Sequence, residues 1–97
     1  KFKGGKAVAT FLGITVALSF PIGAICCCVW LLVALLARMS SLSSLISATS
    51  APITALVLNQ PQLGALLVFL AIIVFFRHQQ NIARILKGVE PKIGKTE

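Results

Sequence analysis

An apolar run from Ala7 to Ala37 limits this chain more than anything else in it. A bilayer-spanning helix needs about 20 apolar residues, so the run is too long for one pass and just adequate for two short ones. The stretch "SFPIGA" supplies a break, because Pro21 lacks a helix donor and clashes with the preceding turn, and Gly23 follows it. Helices are therefore predicted over Ala7–Phe20 and Ile22–Arg38. Hydrophobic residues make up 58% of the chain and charged ones 11%, against roughly 25% charged in a soluble domain, so this is an integral membrane sequence.

Two more apolar segments follow, Ser41 to Leu58 and Leu63 to Phe76. The first is rich in Ser and Thr and contains Pro52. Small hydroxyl residues allow close helix approach and bond across to a neighbour or back to a carbonyl, which suits an interior helix. The polar turn "NQPQ", Asn59 to Gln62, separates the two. The expected fold is all-α, a polytopic bundle of about four short membrane helices forming part of a larger bundle. Four passes put the start of the chain, the Arg38 turn and the tail from Arg77 on one side. All nine Lys and Arg fall there, and the positive-inside rule makes that side cytoplasmic. Spans of this length imply local thinning or snorkelling flanks.

Several classes drop out. The +7 net charge comes without a basic groove interleaved with aromatics, since Trp30 is the only Trp and there is no Tyr, so nucleic-acid binding is not expected. Cys26, Cys27 and Cys28 are consecutive and diverge around a helix, so they read as buried structural thiols, with acylation as the lesser alternative, and no metal site is expected. A signal peptide cleaved near Ala24-Ile25-Cys26 is rejected because further membrane-length sequence follows. The chain begins at Lys1 without a methionine, and it is expected to be the C-terminal part of a longer protein.

Three polar clusters meet on the basic side. In "KFKGGKAVAT", Gly4 and Gly5 permit a backbone whose N–H groups turn around an anion, Lys3 and Lys6 add charge, and the following helix adds its positive end. That is a phosphate-binding arrangement; the plain alternative is a positive-inside flank. Neither the spacing nor the ending fits a Walker A loop. In "RMSSLSS", Ser40 or Ser41 reads first as a helix cap. With a phosphate nearby, the same hydroxyls become ligands. In "RHQQNIARILKGVEPKIGK", Arg77, His78, Asn81 and Arg84 fall within an arc of roughly 100° on one helix, a polar site where snorkelling alone would need only the cations. Ile82, Ile85 and Leu86 cover the remaining surface, and Lys87-Gly88 ends the helix with glycine as C-cap.

Taken in order, "FKGGKAVAT", "SLSS" after an arginine, and "RHQQNIARILKGVEPKIG" strongly resemble the PlsY-type bacterial glycerol-3-phosphate acyltransferases over essentially the whole chain, which corresponds to that family's C-terminal half. The resemblance implies a multi-pass inner-membrane enzyme of phospholipid synthesis with its active-site face and both chain ends cytoplasmic. It would transfer an acyl group from acyl phosphate to the 1-hydroxyl of glycerol 3-phosphate, giving lysophosphatidic acid. Lys3, Gly4, Gly5 and Lys6 match the family's phosphate-binding loop, Ser41 and Ser44 its hydroxyl pair, and His78, Asn81 and Arg84 its last motif. His78 and Asn81 are the catalytic candidates and the others bind phosphate; Glu90 and Lys92 match the family pattern without an assigned role. The implied organisation is a single membrane region, 1–97, with a phosphate loop at 1–6, four helices over 7–76 and a cytoplasmic motif and tail at 77–97.

Two departures stand out. The family's loop reads KGGKG and this chain has Ala7 in the last position. A methyl group is mild there if the residue is helical and costly if it needs positive φ. The family's first motif is absent, so the 97 residues are expected to be inactive without an N-terminal half. The implied chemistry is direct transfer between two phosphate-bearing substrates gathered on a cationic rim beside membrane lipid, with no acyl-enzyme, no metal and no cofactor. The proton of the attacking hydroxyl goes to His78 or to the substrate's own phosphate. The competing reading is a non-enzymatic membrane assembly subunit or small channel with basic cytoplasmic flanks.

Overall fold

The computed structural model describes residues 3–90, with side chains from Val8 onward. These residues form five helices: α1 (Lys3–Leu18), α2 (Phe20–Ala37), α3 (Ser40–Val57), α4 (Pro61–Arg77) and α5 (Gln79–Lys87). α3 is the interior helix. It packs against α2 and α4, while α1 closes the bundle against α2 and α4, and α5 lies against α3 and α4.

The sequence explains why α3 is central. Ala48, Ala51 and Ala55 recur at helical spacing and are fully buried, facing a core that includes Ile22 and Cys26 of α2, Leu67, Ala71 and Val74 of α4, and Phe11 of α1. Small residues on that face let neighbouring backbones approach, which in a bilayer is where helix association gains its packing energy. Hydroxyls occupy much of the remainder of the helix. Ser43, Ser44, Thr49 and Thr54 donate back to the carbonyls of Met39, Ser40, Leu45 and Ser50, each within 2.9 Å. Ser47 donates across to the Cys26 carbonyl of α2 at 2.8 Å. Both uses of hydroxyls expected from the sequence occur, and 44% of the helix is buried against 17% of α2.

The helix boundaries differ from the expected ones in instructive ways. The first break falls at Ser19, in extended conformation, and Pro21 sits in the first turn of α2. There its missing N–H has no partner to lose, so proline starts the helix instead of ending the previous one. Gly23 then serves packing: a Cβ on it would lie 2.5 Å from Val16 Cα, so α1 and α2 touch backbone to backbone just beyond their one-residue joint. Neither Ser40 nor Ser41 caps α3; Met39 holds that position without a side-chain cap. Of the three cysteines expected to be buried, only Cys26 is; Cys27 is half-buried and Cys28 exposed, as three consecutive positions on a helix must diverge.

α3 and α5 end alike. Asn59 takes a left-handed conformation (φ 63°), with Gln60 N–H bonded to the Ala55 carbonyl and Asn59 N–H to Leu56. Gly88 (φ 76°) does the same for α5, with Val89 bonded to Arg84 and Gly88 to Ile85. This is the Schellman pattern, and the glycine stop expected after Lys87 stands where it was placed.

α2 and α3 are each long and apolar enough to cross a membrane. α4 and α5 pass the same test as a pair bent by 63°, and the apolar part of α1, Val8–Leu18, is shorter. Four bundle helices in the expected order thus yield two spans by length and composition, or three if the bent pair counts as one. α1 begins, α2 ends, α3 begins and α4 ends at a common pole: Thr10 and Phe11 of α1 lie beside Val74 and Arg77 of α4, and Ser41 of α3 contacts Glu90, just past α5.

Candidate functional site

The site is assembled at this pole from the break between α4 and α5. His78 ends α4 and precedes α5, with its N–H shared between the carbonyls of Val74 and Phe75 at 3.1 Å. The bend corrects the expected single helical arc: Arg77 belongs to the last turn of α4, whereas Asn81 and Arg84 belong to α5. Asn81 and Arg84 remain one turn apart on one face of α5, while Ile82 and Ile85 pack against the core. Leu86, expected to help cover the helix, is 83% exposed.

His78 is 2% exposed, and its Nδ1 lies 2.8 Å from the Val74 carbonyl oxygen. A carbonyl can only accept, so Nδ1 carries the proton in this contact. In the neutral ring Nε2 is then the nitrogen with a lone pair. The contact thus favours the Nδ1-protonated tautomer, whose Nε2 can accept a proton.

Asn81 and Arg84 converge on Glu90. Ser41 Oγ donates to Glu90 Oε2 at 2.6 Å, Asn81 Nδ2 donates to the same oxygen at 2.9 Å, and Arg84 Nε donates to Oε1 at 2.8 Å. The Glu90 side chain is 6% exposed and the Arg84 side chain 42%. Burial disfavours the carboxylate charge, but the bonds from Ser41, Asn81 and Arg84 outweigh it and hold the carboxyl below its ordinary value. The carboxylate also stands at the first turn of α3, whose positive end favours an anion. Gly88 makes the arrangement possible, because its left-handed turn carries the chain back over α5. Arg84 contributes Nε to this contact, so neither Nη group takes part in it.

Ser44 stands apart from that group. Its Oγ donates to the Ser40 carbonyl at 2.8 Å and accepts the indole N–H of Trp30 at 3.1 Å. Of the predicted hydroxyl pair, then, Ser41 joins Glu90 and Ser44 joins Trp30. Sequence reasoning left Glu90 without a role and passed over Trp30. The available signal for Glu90 was charge: the chain has two acids against nine Lys and Arg.

Lys3, Gly4, Gly5 and Lys6 were expected in a loop before a helix starting at Ala7. Instead α1 begins at Lys3, and these four residues form its first turn. Nothing upstream of Ala7 breaks a helix, and glycine is tolerated in a first turn whose four N–H groups have no intrahelical partner in any case. The segment expected as a phosphate-binding loop is thus a helix N-terminus whose second and third residues are glycines. Ala7 lies within α1, so the alanine falls on helical backbone, where its methyl is a mild change. The side chains of Lys3 and Lys6, and all of Lys92, lie outside the described residues.

Apolar helices with a Ser-lined interior and a cluster of polar side chains where α3 begins and α4 ends define a membrane helical bundle. The family model of glycerol-3-phosphate acyltransferase matches residues 1–88. The glycerol-3-phosphate acyltransferase of Ruegeria sp. (strain TM1040) is 52% identical over 97% of this chain and 46% of its own length. That of Cereibacter sphaeroides is 51% identical over 97% and 45%, and that of Caulobacter vibrioides 49% over 98% and 44%. The chain belongs to the glycerol-3-phosphate acyltransferase family, and it spans a little under half the length of the curated relatives it matches. No solved structure matches it.

Proposed function

We infer that this chain supplies the C-terminal half of an acyltransferase that moves an acyl group from acyl phosphate to the 1-hydroxyl of glycerol 3-phosphate. The observation that carries the reading is the pole itself, where His78 presents a proton-accepting tautomer one turn from a set of hydroxyl, amide and guanidinium donors already oriented by Glu90. Family membership supports the acceptor substrate, and the donor follows from the resemblance to the acyl-phosphate-dependent branch.

In this reading residues 1–6 and the first turn of α1 bind phosphate through free N–H groups, Lys3 and Lys6. Ser44 and the Nη groups of Arg84 take further phosphate oxygens, Ser41 joins them when its single proton turns from Glu90 to the substrate, and Asn81 orients the glycerol. The hydroxyl oxygen attacks the acyl carbonyl carbon, the carbon–oxygen bond to phosphate breaks, and inorganic phosphate leaves with its electron pair. The hydroxyl proton goes to His78 Nε2 or to the substrate phosphate. Acyl phosphate is already activated, so orientation supplies much of the rate. The acyl chain stays in lipid beside residues 7–76, and residues 77–97 close the cytoplasmic side. The basic residues at this pole support its cytoplasmic orientation in the bacterial inner membrane.

The test is reconstitution. The complete protein, with its N-terminal half, is purified in detergent or lipid and given acyl phosphate and glycerol 3-phosphate. Release of lysophosphatidic acid and equimolar phosphate, without acyl-CoA or acyl carrier protein, is the expected result. A folded, inserted protein that produces neither would refute the reading and return the chain to a structural role; a covalent acyl-serine would refute direct transfer.

A further inference from the structure

Trp30, two turns before the end of α2, bonds to Ser44 of α3. Its indole N–H is a donor with no acceptor capacity. Ser44 Oγ receives that N–H at 3.1 Å and sends its own single proton to the Ser40 carbonyl at 2.8 Å. The two bonds have different consequences. The Ser40 carbonyl is one of two possible destinations for the Ser44 proton, the other being an oxygen of a bound phosphate. The Trp30 bond holds the oxygen itself and cannot compete for the proton.

We propose that Trp30 is a positioning residue for phosphate binding, fixing Ser44 Oγ from α2 so that the Ser44 proton can swing from the Ser40 carbonyl to a substrate phosphate oxygen. The contact is built, not incidental. Trp30 lies one helical turn beyond Cys26, whose carbonyl accepts from Ser47 and whose Sγ lies 3.9 Å from Ser50 Oγ. Ser44, Ser47 and Ser50 therefore face α2 at three-residue spacing, and Trp30 meets the member nearest the polar pole. Without the indole N–H, Ser44 Oγ is left with its back-bond to the Ser40 carbonyl. The inference rests on Ser44 being a phosphate ligand, as read above.

The experiment uses the complete protein in detergent, with Trp30→Phe, Ser44→Ala and the double variant. Trp30→Phe removes the N–H and keeps an aromatic ring. It is expected to raise KM for glycerol 3-phosphate or acyl phosphate about fivefold, the size of one neutral hydrogen bond, with kcat nearly unchanged. In the Ser44→Ala background the same change should have no further effect, whereas a packing role would persist there. A Trp30→Phe variant with parental KM, or one whose defect is undiminished beside Ser44→Ala, overturns the proposal.

A second measurement does not need turnover. Trp30 is the only tryptophan of this chain, so the emission difference between parent and Trp30→Phe isolates it. Titration with glycerol 3-phosphate should shift that difference spectrum, and Ser44→Ala should abolish the shift. Calorimetric binding with no Trp30 signal would sink the proposal alone. Absence of any phosphate-ester binding to the folded protein would sink it together with the function on which it rests.

Discussion

Ser41 and Glu90 are joined by a 2.6 Å hydrogen bond although 49 residues separate them. The bond ties the first turn of α3 to the chain beyond α5, and the same carboxylate holds Asn81 and Arg84. One buried anion thus orients three of the side chains assigned to substrate.

Glu90→Gln should destabilise the folded protein by about 2–3 kcal/mol, the cost of weakening charge-assisted bonds at a site where Arg84 stays partly solvated. The acid dependence follows from the depressed carboxyl value. Between that value and the ordinary one near 4.5, the unfolded chain binds more protons than the folded one, so stability rises with pH. The contribution of Glu90 is complete above about 4.5 and disappears as pH falls through the depressed value. Melting curves of the parent should show this acid limb, and those of Glu90→Gln should show a shallower one.

His78→Asn separates the two ring nitrogens. Asparagine can place an amide N–H where Nδ1 donates to the Val74 carbonyl, but it has nothing at the position of Nε2. Activity of the complete protein should fall by about 100-fold or more if Nε2 takes the proton. Thermal unfolding should move by only a few degrees. Retained activity would assign proton removal to the substrate phosphate.

Gly23 and Gly64 should respond oppositely to alanine. A Cβ at Gly23 meets the Val16 backbone at 2.5 and 2.7 Å, which no rotamer change relieves, so Gly23→Ala should cost about 1–3 kcal/mol or prevent folding. At Gly64 the nearest atom, Ala55 Cβ, lies 3.6 Å away, an ordinary contact, and improved helix propensity should leave Gly64→Ala neutral or more stable. Unfolding in detergent, run on both variants, distinguishes them.

Sidedness is checked by single cysteines at Gln60 and Gln79 in a variant with Cys26, Cys27 and Cys28 replaced by alanine or serine. In intact cells an impermeant thiol reagent should reach the position-60 thiol from outside and the position-79 thiol only after permeabilisation. The reverse pattern would overturn the cytoplasmic placement of the pole.

Much of this was legible in the sequence where one helix's own pattern decides the outcome. The Ser-rich α3 reads as interior because small hydroxyl residues permit close helix approach, and Gly88 reads as a stop because few other residues enter a left-handed turn cheaply. Boundaries were less legible where two mechanisms use the same residue: Pro21 can end one helix or begin the next, and the extended Ser19 decides between them. Gly4 and Gly5 permit a loop but do not require one, and without a breaker the helix extends to Lys3. The site was visible as residue types but not as pairings. Arg77, His78, Asn81 and Arg84 share an arc only on a straight helix, and the 63° bend divides them. Glu90 reaches Ser41, and Trp30 reaches Ser44, through tertiary contacts that no spacing encodes.

Glu90 also fixes an order of events. Every helix described precedes it in the chain, so during synthesis the bundle can be threaded into the bilayer while Ser41, Asn81 and Arg84 still lack their common acceptor. A nascent chain halted after Lys87 would hold all five helices and an unset site. Competence arrives only once translation has passed Glu90, as if the molecule were latched after its helices are already in place.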